Sequence, residues 1–147
     1  MKDKVIQGLK DALAAMNDTG AHWTQGTLRD TDESDDTPAG GEARPRYCSL
    51  GAVFYVSGRD LDAMMSEQHS PDEWEKILDS GDRALTVALV KAVAEAIPDG
   101  ENGYDITSYV GQECAITSWN DRSWRTWDEV VAVFERAQEQ VAAREEE

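Results

Sequence analysis

Few side chains in this sequence can act as a nucleophile or a general base, since it has only two cysteines and two histidines. Cys48 stands near the start of a predicted helix, where the helix dipole lowers the pKa of a thiol. His22 or His69 would supply the base, and Asn120 or Asp121 could orient the imidazole. These residue types define one catalytic hypothesis, a cysteine-dependent hydrolase that uses Cys48.

A second interpretation of Cys48 is that it packs in the core as a small hydrophobic side chain. An apolar run from Leu50 to Val56 follows it directly, and a helix built from that run would draw the thiol inward. No protease signature surrounds the cysteine, and the sequence has no Gly-x-Ser-x-Gly motif or phosphate-binding glycine loop. We therefore favour the packing role and expect no catalytic activity.

Metal sites are also disfavoured by spacing. A zinc site made by Cys48, Cys114 and a histidine would lack the closely spaced ligand pairs typical of such sites. A calcium loop starting at Asp30 would need glycine at its sixth position and glutamate at its twelfth. Asp35 and Gly41 stand there instead. We expect neither a metal ion nor another cofactor.

The charge balance limits the partners that this chain can bind. It carries 30 acidic against 14 basic residues, a formal net charge of −16. Such a charge repels nucleic-acid phosphates and anionic membrane surfaces, and the sequence shows no local basic patch. We expect another protein as the partner, with no direct nucleic-acid binding and no membrane. An alternative is an acidic inhibitor that mimics nucleic acid, although the acidic residues are spread over several segments.

The expected compartment follows from what the sequence lacks. There is no recognisable signal peptide, and no apolar run approaches the roughly 20 residues of a membrane span. With so few cysteines, the thiols are expected to be reduced. These features predict a cytoplasmic protein.

Hydrophobic periodicity predicts an all-α fold. Amphipathic or apolar helices are expected at residues 2–16, 47–57, 60–68, 71–81 and 82–97. The β-branched and aromatic residues of 47–57 leave a strand as the alternative there. The last of these is apolar nearly all round, which is typical of a helix in the middle of a bundle. Residues 1–147 are predicted to form a single domain of five to seven helices around it. Residues 27–46 are predicted to be an acidic mobile loop, and residues 143–147 a fraying acidic tail.

Residues 112–137 predict a corner between two helices. Trp119 ends the first helix as a core residue, and Asn120 and Asp121 suit a turn. Thr126 and Glu129 fit a capping box, in which each side chain bonds the backbone N–H of the other residue. The following helix is expected to bury one stripe: Val130, Val131, Phe134, Ala137 and Val141.

Four short motifs carry a resemblance: Trp23-Thr24-Gln25-Gly26, Cys48-Ser49-Leu50-Gly51-Ala52, Trp119-Asn120-Asp121, and Arg125-Thr126 with Glu129-Val130. Their pattern resembles an uncharacterised family of small domains from actinobacteria and their phages. That family often has Pro-Gly where Ser123-Trp124 stands here. The resemblance implies a host range and a compartment rather than a reaction. Together with the charge, it points to a non-catalytic protein that binds or regulates another protein of the host cell or phage.

Overall fold

The computed structural model describes residues 1–16, 22–30, 46–65 and 70–144. Within these ranges the chain forms seven α-helices and one pair of two-residue strands, which confirms the predicted all-α fold. The helices are α1 (Lys2–Ala15), α2 (Ser49–Val56), α3 (Leu61–Met65), α4 (Pro71–Asp79), α5 (Arg83–Ala96), α6 (Tyr109–Asn120) and α7 (Trp127–Ala143). The strands are β1 (Arg29–Asp30) and β2 (Arg46–Tyr47). None of these helices is long and apolar enough to cross a membrane.

Helix α5 lies at the centre of the packing, as its apolar composition predicts. It contacts α1, α2, α6 and α7. Its first turn is capped by Asp82, whose carboxylate accepts from the N–H of Leu85 at 3.0 Å, and Pro98 follows its end. The helix is not enclosed on all sides, however, because Val87 is 40% exposed and Lys91 is exposed too. Four neighbouring helices cover only part of its circumference.

The buried stripe of α7 differs from the predicted one at one position. Val133 is buried and Val131 is only half-buried. Both valines fit a spacing of three or four residues from Val130 or Phe134, so the sequence pattern allows either. The directions from which α1 and α5 pack against α7 determine that Val133, rather than Val131, is buried.

Strands β1 and β2 hold the two ends of the predicted mobile loop. They pair antiparallel, with Arg29 opposite Tyr47, and Trp23 forms a parallel bridge to Tyr47. The Arg29 guanidinium also bonds the Asp62 carboxylate of α3. The ends of the segment 27–46 are therefore anchored, while residues 31–45 lie outside the described part of the chain.

Arg144, within the predicted acidic tail, is held against the bundle. Arg144, just past α7, donates to the Glu95 carboxylate at 2.7 Å. Its carbonyl accepts from Lys2 Nζ at 2.9 Å. These contacts join the end of α7 to α5 and α1. Residues 145–147 lie outside the described residues.

Two glycines bring the ends of the α3–α4 segment together. Gly58 and Gly81 have φ angles of 82° and 69°, a conformation that glycine adopts without a Cβ clash. A Cβ at Gly81 would lie 2.3 Å from the carbonyl oxygen of Ser57. The N–H of Asp82 donates to that same oxygen at 2.8 Å. The residues that precede α3 and those that follow α4 therefore lie in direct backbone contact.

Gly51 allows a close approach between α2 and the backbone of the segment before β1. A Cβ on Gly51 would lie 1.8 Å from the Leu28 carbonyl oxygen. This oxygen also accepts from the N–H of Cys48 at 3.2 Å. Only glycine fits at position 51, because the backbone just before β1 lies against it.

We expect Gly51→Ala to destabilise the protein by at least about 2 kcal/mol, because a backbone carbonyl cannot move aside as a flexible side chain can. The helix propensity of alanine favours the substitution by about 1 kcal/mol, so the clash must exceed this gain. Urea unfolding measures the difference. Gly103→Ala is the control, since a Cβ there meets nothing within 4 Å. Equal midpoints for the two variants would contradict the close approach.

Candidate functional site

Asn120 is the polar centre at which three segments of the chain meet. It is fully buried. Its Oδ1 accepts from Trp23 Nε1 at 2.8 Å, Ser49 N–H at 3.0 Å and Ser49 Oγ at 2.7 Å. Its Nδ2 donates to the Thr24 carbonyl at 3.1 Å and to Asp121 Oδ1 at 2.9 Å. Both ends of the amide are fully used, so Asn120 has no free group with which to orient an imidazole.

The segment after Trp23 is fastened to the same helix end. The Gln25 side-chain amide donates to the backbone carbonyls of Asn120 at 2.8 Å and Arg122 at 2.7 Å. Gly26 N–H donates to the Asp121 carboxylate at 2.9 Å. The Trp-x-x-Gly and Trp-Asn-Asp motifs are thus two halves of one hydrogen-bonded clasp.

Arg125 forms a second polar cluster under the corner between α6 and α7. Its side chain is fully buried, with its guanidinium carbon 4.1 Å from the Trp119 ring centroid. Nε donates to the Trp119 carbonyl at 2.9 Å, and Nη1 donates to Glu101 at 3.1 Å and Glu129 at 2.6 Å. Two carboxylates and a stacked indole offset the cost of burying this charge. Trp119 itself is 1% exposed, as expected of a core residue.

The capping box at the start of α7 is confirmed in both directions. The Thr126 hydroxyl accepts from Glu129 N–H at 3.3 Å, and the Glu129 carboxylate accepts from Thr126 N–H at 3.0 Å. The bond from the Thr126 backbone lowers the pKa of Glu129, and the nearby Arg125 lowers it further. Glu129 therefore serves the helix cap and the buried arginine together.

Cys48 is placed at the N-cap of α2 but is not activated there. It is 2% exposed, and its Sγ accepts from Gly51 N–H at 3.3 Å. Burial raises the thiol pKa to about 11, and the negative charge of Asp121 raises it as well. The hydrogen bond from Gly51 acts in the opposite direction and is outweighed. The thiolate is thus a minor species at neutral pH.

The catalytic candidates only partly converge. The His22 carbonyl accepts from Tyr47 N–H at 2.7 Å, next to Cys48. His22 is half-buried, and its Nδ1 is buried without a hydrogen-bond partner. Among the described residues, no hydrogen bond joins the Cys48 thiol to His22 or Asn120. His69 lies outside the described residues.

Within the described ranges, no group of three or more His, Cys, Asp or Glu side chains is arranged to hold a metal ion. Of the proposed zinc ligands, Cys48 is buried and Cys114 is exposed on α6.

A different cluster joins α2 and α6. Arg59 stacks on Phe54 with its Nη1 3.3 Å from the Tyr109 hydroxyl and 3.7 Å from the Glu113 carboxylate. Burial raises the pKa of Tyr109 to about 12 and raises that of Glu113.

Sequence reasoning missed several residues that complete these clusters. Ser49 and Gln25 lie inside the quoted motifs, so their position was a usable signal. Glu101 and Arg59 gave no such signal, because each acts on a residue at least 24 positions away. The four motifs single out ten residues as structural or family-motif positions. The structure places all ten in or beside the clasp and the corner: Trp23, Gly26, Cys48, Gly51, Trp119, Asn120, Asp121, Arg125, Thr126 and Glu129.

The residues of the clasp and the corner all lie within the part of the chain that matches a known family model. Residues 1–140 match DUF6197, a family of unknown function. The chain belongs to this family. The searches of curated proteins and of solved structures give no match.

We expect Asn120→Ala to lower the free energy of unfolding by about 3 kcal/mol, because the buried Trp23 and Ser49 donors lose their acceptor. Denaturant unfolding measures this loss. Asn102→Ala is the control, since the Asn102 side chain only accepts one exposed bond from Tyr104 N–H, and it should change stability by less than about 1 kcal/mol. If Asn120→Ala had a similarly small effect, the clasp would contribute little to the stability of the protein.

We expect the stabilising effect of Glu129 to depend on pH. Its folded-state pKa lies below the ordinary value of 4.5, so its contribution is complete above that pH. The contribution is lost as pH falls through the lowered folded-state pKa. Melting temperatures of the wild type and Glu129→Gln should differ at neutral pH and converge in acid. A gap that stays constant down to the acid limit would contradict the role of the charged form.

Proposed function

We propose that this chain is a non-catalytic protein that acts by binding another protein. The observation that supports this most is the use of Asn120, whose amide is committed on both ends to the fold. Cys48 is likewise buried with a raised pKa. Asn120 and Cys48, whose side chains could take part in catalysis, thus stabilise the fold instead. We therefore assign the function to the protein surface.

The proposal treats residues 1–147 as one domain. It places the protein in the cytoplasm, in an actinobacterium or in a cell infected by one of its phages. The support is the four-motif resemblance and the scarcity of cysteine in the sequence. The net charge of −16 supports a protein partner over a nucleic acid or an anionic membrane.

The two alternatives find less support. A mimic of nucleic acid needs its carboxylates arranged on one face, but the exposed acids of the described residues occur on α1, α3, α4 and α7 and in connections, at Asp60, Asp99 and Asp105. A cysteine hydrolase needs a thiolate and a base in contact. Cys48 instead accepts a backbone hydrogen bond in the core.

Alkylation of the two thiols tests the non-catalytic proposal. At neutral pH, iodoacetamide should modify the exposed Cys114 quickly and the buried Cys48 only after denaturant is added, because the reagent attacks the accessible thiolate. Peptide mass spectrometry separates the two products in one sample, so Cys114 is an internal control.

A Cys114→Ser protein isolates the signal of Cys48. Its native alkylation should accelerate only toward the raised pKa of about 11. Fast alkylation of Cys48 at neutral pH that is lost in His22→Ala would refute the proposal and support the hydrolase.

A further inference from the structure

Trp124 is an exposed aromatic side chain on a rigid support. It is 65% exposed, whereas Trp119 is buried and Trp23 packs against Trp127 with ring centroids 6.2 Å apart. Among the described tryptophans near the corner, Trp124 is therefore the one whose indole lies largely in solvent.

The backbone that carries Trp124 is held from three sides. Arg125 N–H donates to the Arg122 carbonyl at 2.9 Å across the turn. Gln25 donates to the same carbonyl at 2.7 Å, and the Arg122 side chain donates to the Glu101 carbonyl at 3.1 Å. A preorganised aromatic loses little conformational entropy on binding, which is the property of an interface anchor.

The surroundings of Trp124 determine which partner it suits. The Arg122 guanidinium carbon lies 5.7 Å from the Trp124 ring centroid, so the ring already interacts with one cation. Two carboxylates, Glu101 and Glu129, flank the buried Arg125 with side chains that are 34% and 40% exposed. Asp128 beside them is exposed too, so carboxylates outnumber the one other arginine, Arg122, at this surface.

We propose that the Trp124 corner, defined as residues 121–128 with the flanking Glu101, is a docking site for a basic, arginine-containing segment of a partner protein. An arginine stacks on the open part of the indole by a cation–π contact. Further basic residues meet the exposed carboxylates, and the overall charge of −16 accelerates their encounter. This inference rests on the proposed protein-binding function and specifies the chemistry of the partner.

The test compares fluorescein-labelled nona-arginine and nona-lysine peptides by fluorescence anisotropy. Both peptides carry the same charge, but guanidinium also pairs with carboxylates in a bidentate way and stacks on aromatic rings better than ammonium does. The change in the ratio of their dissociation constants caused by Trp124→Ala isolates the stacking contact, because the carboxylates stay in place. Wild type should prefer the arginine peptide, and stacking on Trp124 should contribute roughly two- to fivefold of this preference, as expected for a cation–π contact of about 0.5–1 kcal/mol.

Trp124→Ala should lower this ratio by roughly two- to fivefold, while Trp74→Ala should leave it unchanged. Trp74 is a matched control, because it is 39% exposed on α4 beside Glu73 and Glu75. Thermal melts verify that both variants fold. The proposal is overturned if the ratio survives Trp124→Ala, if it falls equally in Trp74→Ala, or if wild type binds neither peptide.

Two outcomes separate this inference from the proposed function. Sedimentation velocity of wild type and Trp124→Ala shows whether the corner instead binds a second copy of the chain, which would also overturn the basic-partner assignment. Failure of the peptide test leaves the slow alkylation of Cys48 as independent support for a non-catalytic protein. Fast alkylation would refute the proposed function whatever the peptides do.

Discussion

A buried amide must find all its hydrogen bonds inside the protein, and this requirement at Asn120 organises much of the structure. An unmade bond in the core costs about 1–3 kcal/mol, so the partners of Asn120 must be in place together. They come from the Trp23 segment, 97 positions away, and from the start of α2, 71 positions away. The end of α6 therefore fixes the path of the chain before β1 and the position of α2.

Arg125 imposes a similar requirement on the next turn of the chain. A buried guanidinium is tolerated only with compensating charges and acceptors, which Glu101, Glu129 and the Trp119 carbonyl provide. In so acidic a protein this arrangement also holds two carboxylates near each other without net repulsion. The corner between α6 and α7 is consequently one of the most heavily cross-linked parts of the described structure.

These two networks explain why residues that resemble catalytic groups are interpreted as structural. Cys48, Asn120 and Asp121 lie close together, but the Cys48 thiol caps its own helix, while Asn120 and Asp121 use their polar atoms to hold the segment after Trp23. The thiol is neutral because burial and the Asp121 charge both raise its pKa. The raised thiol pKa and the fully bonded Asn120 amide are the observations that led us to propose a binding role for the surface.

Local features of the sequence determined the helices and their caps, because a capping box or an apolar stripe involves residues only three or four positions apart. The boundaries of α5, the box at Thr126 and the burial of Trp119 follow from such patterns. The tertiary structure alone decided that Asn120 accepts from Trp23, that Arg125 is buried, and that Val133 rather than Val131 faces the core. It also decided that Gly51 meets the Leu28 carbonyl. These contacts join distant segments or depend on the direction of packing, and a single sequence carries no periodic signal for either.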